Sequence, residues 1–193
     1  MPVTREEFLK RLLNGYSRSY DIEFVQHNEL PLVATAQFHV SESQYILSKK
    51  ATMWTVDSDE YVYFFSVPEL TEDIYSRCIQ YACDNGMAKI DLTTKQPHMC
   101  TRLVALFLCD SADAAALIRL KKCRIYKSFQ FSFKGWMEFH TAAADLGKES
   151  VVSNNYGRDT AKYLKNALNP PVGRRGDYRR NFLSRLFQKR KGV

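Results

Sequence analysis

The sequence predicts a mixed α/β domain: a single mostly antiparallel or mixed sheet with helices packed on it, in the order α-β-β-β-α-β-α-β-β-α. Three observations carry that prediction. "YVYFFSV" at Tyr61–Val67 and "LVALFLC" at Leu103–Cys109 are too apolar to keep a face in water, as befits central strands. Several segments repeat apolar residues at helical spacing. Short stretches of period-two alternation lie between turn residues.

The first helix starts at a capping box, Thr4 with Glu7 three residues on. Phe8, Leu9, Leu12, Leu13 and Tyr16 then recur on one side, so residues 5–18 form an amphipathic helix. Ile22, Phe24 and Val33–Val40, where Ala34, Ala36, Phe38 and Val40 alternate with Thr35, Gln37 and His39, are strands around a loop containing Pro31. Tyr45–Leu47 and Ala51–Val56 continue the β pattern with a bulge at Lys49 and Lys50. Asp57-Ser58-Asp59 is turn chemistry, and Tyr61–Val67 is a central strand that ends at Pro68. Thr71 caps a helix carried by Ile74, Cys78, Ile79 and Ala82 as far as Gly86. After the second buried strand, Ser111 or Asp110 caps a short Ala-rich helix through Leu120, with Asp113 in its first turn. Phe129, Phe131 and Phe133 alternate with polar residues, which predicts a strand with one buried face; Trp136–Ala144 follows across Gly135 as its hairpin partner. A last helix around Arg158–Leu168 stops at Asn169-Pro170-Pro171, where proline forbids continuation.

Charge divides the chain near that point. Residues 173–193 hold eight Lys or Arg and one Asp, and this net +7 equals that of the whole chain, so residues 1–172 are formally neutral. The expected organisation is a globular domain over 1–169, long enough to bury its own core, and a flexible basic tail over 170–193. No apolar run reaches the ~18 residues needed to span a bilayer. Acidic residues stand near the start, where a secretory signal has basic and apolar regions, so a cytoplasmic setting is expected. The five cysteines lack metal-ligand spacing and are expected as reduced thiols, and the four histidines are dispersed. Neither a metal nor a cofactor is expected.

No phosphate-binding glycine loop, dinucleotide fingerprint or nucleophile elbow is present. The order helix, three strands, helix, strand resembles the core of the restriction-endonuclease-like nucleases, in which carboxylates near the second and third strands hold Mg²⁺ and a lysine orients the attacking water. Glu42, Asp57, Glu60 and Lys50 would fill those roles here, with Asp59 and Lys49 beside them, although the acid-x-Lys triplet is missing from the third strand. Asp110 follows the buried strand, a place where α/β sheets put functional groups, and helix capping also accounts for it. The stretch "RIYKSFQFSFKGW", Arg124–Trp136, has the residue types of a base-stacking surface, but its three phenylalanines would share the buried face.

The tail has two functional components. Arg174, Arg175, Arg179, Arg180, Arg185, Lys189, Arg190 and Lys191 supply charge, while Phe182, Leu183, Leu186 and Phe187 fall on one side of a short helix. So short a helix is marginal alone in water. On an anionic partner, whether acidic protein, nucleic acid or membrane surface, it gains both charge neutralisation and apolar burial.

Two strings carry a resemblance: Lys-Lys-Ala-Thr-x-Trp followed by Glu-Tyr-Val-x-Phe-Phe within Tyr45–Phe65, and Lys-Ser-x-x-Phe-Ser-x-x-Gly-Trp within Tyr126–Leu146. They resemble a family of uncharacterised bacterial and archaeal proteins, a domain of unknown function, over about residues 4–168. The resemblance implies a domain shared with other microbial proteins and no assigned activity. Its polar positions, Lys49, Lys50, Thr52, Trp54, Glu60, Lys127 and Trp136, are the candidate binding residues; Lys50 and Glu60 would also serve as a cross-strand pair. The sequence therefore predicts an interaction module whose tail docks to an anionic partner, with a divergent metal-dependent nuclease as the alternative.

Overall fold

The computed structural model describes residues 3–26, 29–44, 54–90, 98–131 and 133–170, without the side chains of 40–44, 54–57, 98 and 99. In chain order these residues form α1 (Arg5–Tyr16), β1 (Asp21–Phe24), β2 (Leu32–Gln44), β3 (Trp54–Leu70), α2 (Glu72–Ala88), β4 (His98–Ala112), α3 (Ala114–Lys122), β5 (Tyr126–Ser128), β6 (Trp136–Asp145), β7 (Ser150–Ser153) and α4 (Arg158–Leu168). The strands make one mixed sheet in the order β1-β2-β3-β4-β6-β5, with β7 also on β6. β3, β4 and β6 are parallel; β1, β2, β5 and β7 join as antiparallel neighbours.

Period-two alternation sorts the central strands between two cores. Tyr61, Tyr63, Phe65, Leu103, Ala105, Phe107 and Phe139 face α2 and α3, against Tyr75, Cys78, Ala82, Ala116 and Leu120. Val62, Phe64, Val104, Leu106, Ala142 and Ala144 face α1 and α4, against Phe8, Leu12, Tyr16, Ala161 and Leu164. A strand covered by helices on both sides has no face to leave polar, which explains the continuous apolar runs. The capping box at Thr4 and Glu7 and the Thr71 cap form as expected.

Several local expectations change. β3 is one continuous strand through Asp57-Ser58-Asp59, whose backbones pair with β2 on one side and β4 on the other. Ladders on both flanks override the turn preference of Asp and Ser. The strand also passes through Pro68. Ser66 donates its N–H toward Pro31, so position 68, two residues on, directs its missing N–H to the same side, beyond the start of β2. β4 runs on to Ala112, and the cap of α3 is Asp113 rather than Ser111 or Asp110: its carboxylate accepts from Ala116 N–H, and also from Glu72 N–H at 3.2 Å. One side chain thus serves the first turns of two helices. Tyr45–Leu47, Ala51–Met53 and the Lys49–Lys50 bulge lie outside the described residues.

The expected strand is a loop at Phe129–Phe131 and again at Phe133 and Lys134. β5 pairs with β6 only over Tyr126↔Glu138 to Ser128↔Trp136, so the hairpin is present with its reversal at 129–135. Gln130 and Phe131 have φ of 47° and 54°, and Gly135 has φ of 82°, none compatible with an extended strand. β7 has no counterpart in the expected order. It covers the far part of the β6 edge, opposite Ala142–Asp145, while β5 covers the near part. Asn154 fills the gap between them: its Nδ2 donates to Phe139 O at 2.9 Å and Cys123 O at 3.1 Å, and its Oδ1 accepts from Thr141 N–H at 3.2 Å and Gly157 N–H at 2.8 Å. A side-chain amide replaces a rung of the ladder, with all four of its hydrogen-bonding positions used.

Candidate functional site

At the starting end of the three parallel strands, the face covered by α1 and α4 turns from apolar to charged. Register places Glu60, Arg102 and Glu138 side by side across β3, β4 and β6. Arg102 Nη1 donates to Glu60 Oε2 at 2.7 Å, and Tyr20, just after α1, donates its hydroxyl to Glu60 Oε1 at 3.1 Å. Both carboxylate oxygens of Glu60, a residue only 7% exposed, are thereby engaged. Trp136 Nε1 donates to Glu138 Oε1 at 3.1 Å, and His140 Nε2 lies 3.4 Å from Glu138 Oε2. The imidazole stacks against Tyr156 at 6.1 Å between ring centres.

Burial sets the protonation states. Removal from water holds His140 below the ordinary imidazole range in spite of its bond to Glu138, so the ring is neutral at neutral pH. The bonds from His140 and Trp136 outweigh burial at Glu138 and hold its carboxyl below the usual range. Burial alone would favour a neutral Arg102; the adjacent Glu60 carboxylate reverses this and raises the guanidinium. Arg102 Nε is the one donor of the row that is buried without a partner. Tyr20 is pushed far up by burial and by Glu60, so it serves as a hydrogen-bond donor only.

Two of the residues chosen from the sequence, Glu60 and Trp136, come together here through Arg102 and Glu138. Glu60 lies opposite Phe38 on β2 and takes an ion pair from Arg102 on β4; the expected cross-strand pair with Lys50 falls on a residue outside the described ones. Lys50 and Lys49 lie outside the described residues, as do the side chains of Trp54, Glu42 and Asp57. Asp59 points away from Glu60, as alternate residues of a strand must, and pairs with His39. Lys127 is on β5 opposite Met137, with its Nζ 5.9 Å from the Phe129 ring. Asp110 pairs with Arg5 at 2.9 Å at the opposite end of the sheet. Arg102, Glu138 and His140 were missed because each stands beside apolar or aromatic neighbours and only the β3–β4–β6 register aligns them; Tyr20, in a polar stretch just after α1, joins them only through the fold. Among the described residues no cluster of His, Cys, Asp and Glu has a metal-holding arrangement. A small pocket of about 30 Å³ on the α2 side, lined by Asp21, Glu23, Tyr61 and Lys89 among others, has room for little more than water.

The hairpin tip next to Trp136 is different in kind. Phe129 is buried, but Phe131 is 95% exposed and Phe133 85% exposed. Full burial of such a ring is worth about 1.5–3 kcal/mol, which this conformation forgoes twice. Left-handed backbone at Gln130 and Phe131 adds strain of order 1 kcal/mol each. The turn is held by Phe129 N–H to Gly135 O at 2.9 Å and Lys134 N–H to Phe129 O at 3.2 Å. Residues 121–137 contain five cations, Lys121, Lys122, Arg124, Lys127 and Lys134, and no acid. The tail residues Arg174–Lys191 lie outside the described residues. Among the described residues, no helix is long and apolar enough to cross a membrane.

A family model described as a domain of unknown function, DUF8052, matches residues 4–166. No curated protein and no solved structure matches the chain.

Proposed function

We propose that this chain, which belongs to the DUF8052 family of domains of unknown function, is a docking module for a polyanionic surface, engaging it through the basic C-terminal segment together with the β5–β6 hairpin. The observation that supports this most is the pair of bare rings at a hairpin tip inside a stretch with five cations and no acid. Residues 121–137 and 173–193 together hold 13 of the 28 Lys and Arg but only one of the 21 Asp and Glu, so the remainder carries 15 bases against 20 acids. Cationic segments on an otherwise acidic chain orient it toward a negative surface, and each Lys or Arg near acidic lipid contributes about 1 kcal/mol. The charged row at Glu60, Arg102 and Glu138 is a buried network that fixes the adjoining strand ends rather than an open site, because its carboxylates already have partners.

The test is co-sedimentation with vesicles of phosphatidylserine and phosphatidylcholine, and separately with poly(U) RNA. Three proteins are compared: the full chain, the chain ending at Val172, and a variant with Lys121, Lys122, Arg124, Lys127 and Lys134 all changed to Gln. Binding by the full chain that each change weakens supports the proposal. Absence of binding to either polyanion at low salt refutes it.

A further inference from the structure

The two exposed rings narrow the choice of surface. From Phe131 and Phe133, we infer that the β5–β6 hairpin is a membrane-insertion element, whose tip enters the interfacial layer of an anionic bilayer while the flanking cations meet lipid headgroups; the inference rests on the docking function above and names its partner. Counterion release on nucleic acid uses Lys and Arg and has no need of apolar side chains. Phe131 and Phe133 have no polar atom to offer a base edge or phosphate and would engage nucleic acid only by stacking on unpaired bases, an outcome that the poly(U) arm below separates. A protein partner would need a pocket for each ring. A bilayer interface needs none, because it deforms around a convex tip and accepts amphipathic elements with aromatic residues on one side and cations beside them. The geometry is that of a protrusion: Phe129 anchors the base of the loop in the core, and left-handed Gln130 and Phe131 carry the chain outward to rings that are 95% and 85% exposed. Lys121, Lys122, Arg124 and Lys127 are all exposed and lie within ten residues of Phe131 along the chain, and the tail offers a second pairing of cations with Phe and Leu.

The experiment uses the full chain. Changing Phe131→Ser and Phe133→Ser together leaves charge and fold intact, with an unchanged thermal melt because neither ring is packed. Affinity for phosphatidylserine-containing vesicles should drop by roughly tenfold or more, from the apolar area no longer buried, while binding to poly(U) stays as it was. Phe131→Trp should add emission that shifts to the blue on these vesicles and is quenched by brominated lipid. Equal vesicle affinity for the double variant and the parent overturns insertion and leaves electrostatic docking standing. No binding of the parent to vesicles or poly(U) overturns both. A blue shift of the Phe131→Trp variant with poly(U) alone, or a concentration-dependent dimer that the double variant abolishes, assigns the rings to nucleic acid or to a second copy and overturns the membrane assignment.

Discussion

Arg102 and Glu60 meet at 2.7 Å on neighbouring parallel strands, both largely buried, with Tyr20 closing the other oxygen of the carboxylate. A charge pair taken out of water is costly to break, because the survivor is left desolvated without its partner. Arg102→Met should therefore destabilise the fold by about 3–5 kcal/mol, whereas pairing it with Glu60→Leu should recover much of the loss. Urea unfolding of both variants measures this. Equal stability of Arg102→Met and the parent would show that the pair is solvated.

Asn154 predicts a second large effect. Replacing it by Ala strips the partners from the Phe139 and Cys123 carbonyls and from the Thr141 and Gly157 amides, so a loss of about 3 kcal/mol is expected. Hydrogen exchange should accelerate first at Thr141 and Gly157. Protection unchanged at both amides would mean that the rung is not held by this side chain.

Most of the architecture is written locally, and the candidate site is not. Thr4 with Glu7, Thr71, the two apolar runs and Asn169-Pro170 each act within a few residues, so α1, α2, the central strands and the end of α4 follow from short-range chemistry. The error at Asp57-Ser58-Asp59 arose because pairing with β2 and β4, invisible in one segment, outweighs turn preference. At Phe129–Phe133 the period-two pattern was real, but only Phe129 reaches the core; the other two rings alternate in a loop. Glu60 and Trp136 were found through family-like strings, while Arg102, Glu138 and His140 required knowledge of which strands are neighbours.

Stability should depend on pH through His140. Its folded pKa lies below its unfolded value of about 6.5, so the unfolded chain binds more protons, and stability is complete above pH 6.5 and declines as pH falls below it. Glu138, also held low, adds a further loss of the same sign once pH falls below the ordinary carboxylate range. Denaturant midpoints from pH 7.5 downward should show this fall, and His140→Gln should flatten its upper part. A parent midpoint that rises between about pH 6.5 and 5 would contradict a buried neutral imidazole.

Gly86 packs α2 tightly against Leu103 of β4. A Cβ there would lie 2.5 Å from Leu103 Cδ2, inside a fully packed core, so Gly86→Ala should cost about 1–3 kcal/mol despite the better helix propensity of Ala. Gly86→Ala with Leu103→Ala should relieve the clash but leave a cavity. Thermal melts of the two variants separate these effects, and a raised melting temperature for Gly86→Ala alone would refute the close packing.

The salt dependence of binding to phosphatidylserine-containing vesicles tests the functional account most directly. The full chain should bind at low ionic strength and lose about tenfold or more in affinity between about 50 and 200 mM salt, as an association built on many cations must. Full binding that ignores salt, or no association even at the lowest salt, would contradict an anionic surface as the partner.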